Sequence, residues 1–275
     1  MTPIAELDMH SRRLPISGTY NVRDIGGYKT KDGRTIAWRR VLRGDAIHKV
    51  DDAGREIFQS FNLSTSLDLR EEDERTEAPD NLNASVKLVS VPVFTYSTTE
   101  VKPVSDRKAL SSLDEVYKYV IAERGVALVA ALRELAQPDA LPVIVHCTAG
   151  KDRTGIVIAL LLASLGVPDD VIAADFAATS LFLTQEFFEG ITERAVNNGQ
   201  DRQQYTAMLK CEPSLILNVL KQIRDSHEDV SSYLIHHGMP AEELDRLRLL
   251  ILESVETPEA VNESTVNNNE GVTHV

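Results

Sequence analysis

Leu141-Pro142-Val143-Ile144-Val145-His146-Cys147-Thr148-Ala149-Gly150-Lys151-Asp152-Arg153-Thr154-Gly155 is an apolar run that passes directly into a polar, glycine-containing loop. A second apolar run, Ile156 to Leu165, follows at once. The first run reads as a buried strand and the second as a buried helix. A strand delivered into a short loop that becomes a helix N-terminus aims several unpaired backbone N–H groups into one concavity. The helix end adds partial positive charge, so the loop is suited to hold a phosphate. Cys147 opens the loop and Arg153 closes it. The same amides and Arg153 favour a thiolate on Cys147, and a thiolate can attack phosphorus to form a cysteinyl-phosphate. Arg153 offers a planar fork of donors for two phosphoryl oxygens.

Working outward, other apolar runs predict strands over Ile36–Leu42, Ser64–Leu69, Lys87–Val91 and Pro142–His146. Helical spacing marks Asp51–Phe61, Leu113–Leu135 and Thr154–Leu165, and from Asp169 to Glu253 the pattern is helical only. Asp170, Pro213 and Pro240 stand at helix starts in this reading. Strands alternating with helices predict an α/β fold with a central mixed or parallel sheet flanked by helices, and a helical C-terminal part from about residue 169. Residues 1–17 read as a loosely packed leader, 18–255 as a single domain, and 256–275 as a disordered tail. Helices over 181–210 are candidates for a lid.

Composition bounds the function. The chain has 275 residues, 43% hydrophobic and 26% charged, with formal net charge −13. Such a balance argues against a general nucleic-acid or membrane footprint, and a phosphate site must act at close range. The two cysteines, Cys147 and Cys211, make no disulfide framework, and a reactive thiolate suits a reducing, cytoplasmic location. The N-terminus lacks the charged-then-apolar pattern of a signal peptide, and the run Ile156–Leu165 is too short to span a bilayer. No metal or cofactor is expected, since neither His-Glu-x-x-His nor paired Cys-x-x-Cys spacing occurs.

The segment His146 to Gly155 resembles the active-site loop of the protein-tyrosine phosphatase superfamily. It is most similar to the bacterial and fungal tyrosine/lipid phosphatase family, whose loop reads His-Cys-x-x-Gly-Lys-Asp-Arg-Thr-Gly. Asn21-Val22-Arg23-Asp24-Ile25-Gly26-Gly27 resembles that family's N-terminal Asn-Phe-Arg-Asp-Leu-Gly-Gly motif, with Val22 and Ile25 as mild apolar changes. Leu67-Asp68-Leu69-Arg70-Glu71, with Glu74, resembles its Asp-Leu-Arg segment. The resemblance implies Cys147 as nucleophile and Arg153 as phosphate clamp, with Thr148, Ala149, Gly150 and Lys151 completing the phosphate cradle. It implies that Thr154 hydrogen-bonds the thiolate and that His146 orients the loop.

A leaving oxygen needs a proton. Asp152 is the favoured donor and Asp68 the competing one, unless Asp68 instead pairs with Arg70. Lys151 is expected at the rim, either seating a second phosphate or paired with a carboxylate. Arg23 and Asp24 are expected to brace the fold, and Phe94 and Tyr96 either wall a pocket or belong to the core. Cys211 reads as a buried thiol, with a disulfide to Cys147 as the other option. The expected function is a protein-tyrosine phosphatase, possible dual specificity included, that acts on a phosphorylated protein or peptide and releases inorganic phosphate. A phosphoinositide phosphatase is the alternative. A phosphate-binding module without turnover, or a sulfur-transfer or arsenate-reducing enzyme, are the rivals from other classes.

Overall fold

The computed structural model of the protein describes residues 8–94, 112–197, 199, 201–207 and 209–253. The expected disordered tail and Tyr96 lie outside these residues. Five strands form one sheet: β1 (Arg23–Asp24), β2 (Val41–Gly44), β3 (Thr65–Asp68), β4 (Lys87–Ser90) and β5 (Val143–His146), in the order β1-β2-β5-β3-β4. β1 runs antiparallel to β2, and the other pairings are parallel. The sheet is therefore mixed, as the alternating pattern predicts. β5 lies at its centre between β2 and β3, so the C-terminal ends of three parallel strands meet on one edge, the usual place for a ligand in such sheets. The register puts Gly44 and Asp68 beside His146.

Successive side chains on a strand point to opposite faces. Val143 and Val145 accordingly join the larger core and Ile144 the smaller one; Val41 and Leu42 divide in the same way. The smaller core packs against α2 (Asp52–Ser60) through Phe58, and the side chain of Asp51 caps that helix by accepting from Gly54 N at 2.9 Å. α3 (Glu72–Glu77) follows β3. The larger core is built by α4 (Leu113–Glu123), α5 (Gly125–Leu135), α6 (Asp152–Ser164), α7 (Asp169–Ala177), α11 (Pro213–His227), α12 (Val230–His236) and α13 (Ala241–Ile251). α6 is buried nearly all round, as its continuous apolar sequence requires. Between α7 and α11 the chain forms α8 (Thr179–Phe182), α9 (Gln185–Asn197) and α10 (Arg202–Ala207).

Three expectations change. The strand over Ile36–Leu42 is displaced to Val41–Gly44, because a turn at 38–40 with Arg39 in the left-handed region (φ 60°) interrupts it; Ile36 instead makes a bridge to Leu252. The helix over Leu113–Leu135 is two helices broken at Arg124. A Cβ on Gly125 would lie 2.4 Å from the His237 ring, so this break lets α12's end approach closely. The leader is packed where it is described: α1 (Met9–Arg12) puts Met9 in the larger core, and Arg12 stacks 4.0 Å from the Tyr28 ring centroid. Among the described residues no single helix is long and apolar enough to cross a membrane.

Candidate active site

β5 ends at His146, the loop spans Cys147 to Lys151, and α6 begins at Asp152. The backbone of this loop is fixed from outside. Ala46 N donates to Thr148 O at 3.2 Å. Asn21 Nδ2 donates to Ala149 O at 3.1 Å and to Gly150 O at 3.3 Å. Arg43 Nη2 donates to Gly150 O at 2.8 Å. In a planar trans peptide the N–H points opposite the carbonyl. With these three carbonyls turned outward, the amides of Ala149, Gly150 and Lys151 face the inside of the loop. Gly150 has φ 65°, and a Cβ there would sit 2.4 Å from Gly44 O, so both the conformation and the close approach require glycine.

The outer support is itself braced by a fully buried ion cluster. Asp175 on α7 pairs with Arg23 (3.2 Å) and with Arg43, and accepts a hydrogen bond from Tyr28 OH at 3.1 Å. Arg23 Nη2 also donates to Asp175 O at 2.8 Å, and Nη1 donates to Asn21 Oδ1. Burial works against the charge on Asp175, but Arg43 and Arg23 outweigh it and hold the carboxyl down at about 2. Burial and then the charge of Arg43 push Arg23 down to about 10, still cationic at neutral pH. Asp45 accepts from Tyr20 N at 2.9 Å and Asn21 N at 2.8 Å, which fixes Asn21 from the other side. Arg23 therefore braces the loop as expected. Asp24 braces the turn after it, accepting from Gly26 N at 2.7 Å and Arg39 N at 2.8 Å.

Cys147 is 3% exposed and lies at the floor of the loop. Arg153, on the first turn of α6, makes a two-point contact with Glu74 on α3: Nη1 to Oε2 at 2.5 Å and Nη2 to Oε1 at 2.8 Å. Nη2 also reaches Thr148 Oγ1 at 3.2 Å, and Thr148 Oγ1 donates to Glu74 Oε1. Burial opposes the charge of Arg153; the bonds to Glu74 and then the nearby Cys147 more than reverse this, so its proton is held above the usual arginine range. Glu74 is penalised by burial too, yet Arg153 brings it down to about 2. Phe94 packs beside this pair, its ring centroid 5.4 Å from the Arg153 guanidinium carbon. The Thr154 hydroxyl is buried without a hydrogen-bond partner among the described residues, so the expected bond to the Cys147 sulfur is not made here.

The two candidate acids stand in different surroundings. Asp152 is about one-third exposed; its Oδ1 accepts from Tyr117 OH at 2.6 Å and lies 3.2 Å from Lys151 Nζ. Asp68 is buried and held by Arg70, with Nε at 2.9 and 3.0 Å and Nη2 at 2.7 Å, which is the ion-pair alternative of the sequence reading. Arg70 continues to Asp80 Oδ1 at 2.7 Å, and Asp80 Oδ2 meets His146 Nε2 at 3.0 Å. Burial disfavours a charged His146, but Asp80 prevails and raises its basicity above the usual value. Lys151 takes the carboxylate-paired role, one of the two expected for it, but its expected place changes. It is 2% exposed, and its Nζ donates to Lys210 O at 3.3 Å. It is not at the rim. Cys211 is buried and free, with burial pushing its thiol up to about 11.

Sequence reasoning left Glu74, Arg43, Asp45, Asp175 and Tyr117 without roles at this site. Asp175 had a signal: it is the single carboxylate on the apolar stretch Val171–Ala178, where a charge needs a buried partner. Nothing in sequence spacing links Glu74 to Arg153, 79 positions apart.

A mixed sheet carrying, at its C-terminal edge, a loop of inward amides between a cysteine and an ion-paired arginine defines a cysteine-dependent phosphoric monoester hydrolase. Residues 14–253 match the model of the tyrosine phosphatase family, and the chain belongs to that family. It is 24% identical to the triple specificity protein phosphatase PtpB of Mycobacterium tuberculosis, covering 89% of this chain and all of the relative. It is 27% identical to a tyrosine-protein phosphatase of Nostoc commune, covering 52% of this chain and 49% of that one. A crystal structure of P. aeruginosa TpbA aligns with 63% of this chain and 88% of its own, at 17% identity and TM-score 0.30.

Proposed function

We propose that the protein hydrolyses phosphate monoesters through a cysteinyl-phosphate on Cys147, with phosphotyrosine in a protein or peptide as the preferred substrate. The carrying observation is the loop itself. Three carbonyls are tied outward to Ala46, Asn21 and Arg43, which turns the amides of Ala149, Gly150 and Lys151 toward the space above Cys147. In the proposed reaction a phosphoryl group sits on those amides and on the amide of Thr148, and Arg153 grips two equatorial oxygens. The grip strengthens as negative charge spreads in the transition state. The thiolate attacks phosphorus, the P–O bond to the leaving group breaks, and Asp152 protonates the leaving oxygen. Both bonds that Asp152 accepts from described residues fall on Oδ1, which leaves Oδ2 for this transfer. Water then attacks the cysteinyl-phosphate with Asp152 as base, releasing inorganic phosphate and the thiolate.

Asp68 is assigned to bracing. Its carboxylate is bound by Arg70 on both oxygens, so proton transfer there would break a buried pair.

Two observations favour an aryl phosphate. A cavity of about 290 Å³ beside the loop is lined by Thr148, Glu74, Tyr20 and Phe187, the last on α9. The Tyr20 and Phe187 rings lie 5.2 Å apart and offer an aromatic wall. α9 thus borders this cavity, in keeping with a lid role for the 181–210 segment. Secondly, Lys151 is committed inward and adds no charge at the rim for a second phosphate. The name of the mycobacterial relative supports testing three substrate types together. A phosphotyrosine peptide, a phosphoserine peptide and a phosphoinositide, assayed side by side in chelator, test the reading. The tyrosine peptide is expected to have the highest kcat/KM, and Cys147→Ser is expected to abolish all turnover. A phosphoinositide preference would overturn the substrate assignment, and activity surviving Cys147→Ser would overturn the mechanism.

A further inference from the structure

Far from the cysteine loop, α11 ends at His227, and α12 ends at His236 with His237 as its C-cap. One ring nitrogen from each of these three histidines lies within 4.8 Å of the others. The rings are mutually close, with centroids 5.0 Å apart for His227–His236, 5.9 Å for His227–His237 and 5.0 Å for His236–His237. We propose that His227, His236 and His237 form a binding site for an imidazole-preferring divalent transition metal, of which Zn²⁺ is the reference, that ties the end of α11 to the end of α12.

Three imidazoles are a sufficient protein ligand set when water fills the fourth tetrahedral position. Metal–nitrogen bonds of about 2.0–2.1 Å set the ligand nitrogens roughly 3.4 Å apart in such a site. The observed spacing is close to this, and His236 is the exposed member of the three. Ser226 Oγ lies 2.8 Å from His227 Nδ1, which orients that ring and leaves Nε2 as its ligand atom. His237 is held between the Tyr233 ring, at 4.5 Å, and the space left by Gly125.

Both helices present their C-terminal ends here, and the partial negative charge of those ends favours a cation. The groove beside the histidines, about 970 Å³, is bordered by Glu123 and Asp225. The two lysines on it are already matched, Lys118 to Asp114 at 2.6 Å and Lys221 to Asp225 at 2.5 Å, so no unmatched lysine opposes the ion. The Asp68-Asp80-His146 cluster of the described residues differs in that the Arg70 guanidinium pairs with both of its carboxylates.

The test uses the full-length chain carrying Cys147→Ser, which removes the thiolate as a competing ligand. After chelator treatment and dialysis it is titrated with Zn²⁺ by calorimetry and with Co²⁺ by visible absorption. One ion per chain is expected, with Co²⁺ ligand-field bands and a rise in Tm on metal addition. His236→Ala and, separately, His227→Ala are each expected to weaken binding by more than about 10-fold. His236 is exposed, so its variant is expected to melt like the parent when metal is absent. A site that survives both substitutions, or the lack of any saturable site, would overturn the proposal.

Discussion

Glu74 sets the direction of the Arg153 fork, and the strength of that contact makes its removal informative. Glu74→Ala leaves Arg153 with the single side-chain contact to Thr148 among the bonds described. A clamp that is no longer held in position is expected to lose on the order of 10²-fold in kcat/KM. Glu74→Gln, which keeps the shape and one good acceptor, is expected to lose less; steady-state kinetics on an aryl phosphate separates the two. Asp152 makes a different prediction. Asp152→Asn is expected to slow esters with poor leaving groups more than those with good ones, because only the former need the proton in the transition state. Equal slowing of both would remove Asp152 as the acid. At this scale the grouping of Cys147, Asp152 and Arg153 was legible because they are close neighbours in sequence, on the loop and the first turn of α6. The burial of Lys151 was not, because it goes with a contact to Lys210 O, 59 positions away.

At the scale of elements, the loop is a product of its neighbours. β1 and β2 supply Asn21, Arg23 and Arg43, and α7 supplies the carboxylate that holds the two arginines. Asp175→Asn leaves two buried guanidinium groups short of their counter-ion and is expected to cost about 3–5 kcal/mol, measured by denaturant unfolding. Gly150→Ala meets the Gly44 carbonyl in a left-handed conformation, and is expected to lose phosphate binding as well as turnover. Retained phosphate affinity in that variant would show the loop to be less constrained than described. Strands β3, β4 and β5 were legible because short strand-like runs there are bounded by turn residues. The start of β2 was not, since the Trp38–Arg40 turn lies inside an otherwise strand-like run. β1 is a two-residue strand with no period to detect. The break at Arg124 was hidden for a related reason: the apolar spacing continues through it, and only the docking of His237 against Gly125 makes the interruption useful.

For the whole molecule, acid stability reports the same buried charges. Asp175 and Glu74 have folded values of about 2, below their ordinary values of 3.8 and 4.5. Groups depressed in this way contribute stability in full above their ordinary values, and lose it as pH falls toward the folded ones. Denaturant midpoints are therefore expected to drop between about pH 4.5 and 2, and Asp175→Asn is expected to flatten that drop. The α/β architecture and the helical C-terminal part followed from the alternation of periods along the chain, whereas the joining of segments near residues 21, 43, 74, 150 and 175 into one site is long-range packing that no local pattern carries. The central claim is that the phosphoryl group passes through the sulfur of Cys147. It is tested most directly by acid-quenching the Asp152→Asn enzyme during turnover and mapping the covalent phosphate by mass spectrometry. A phosphoryl group on the Cys147 peptide, absent from the Cys147→Ser protein, is the predicted result. Turnover with no label on that peptide, or with the label on another residue, would contradict it.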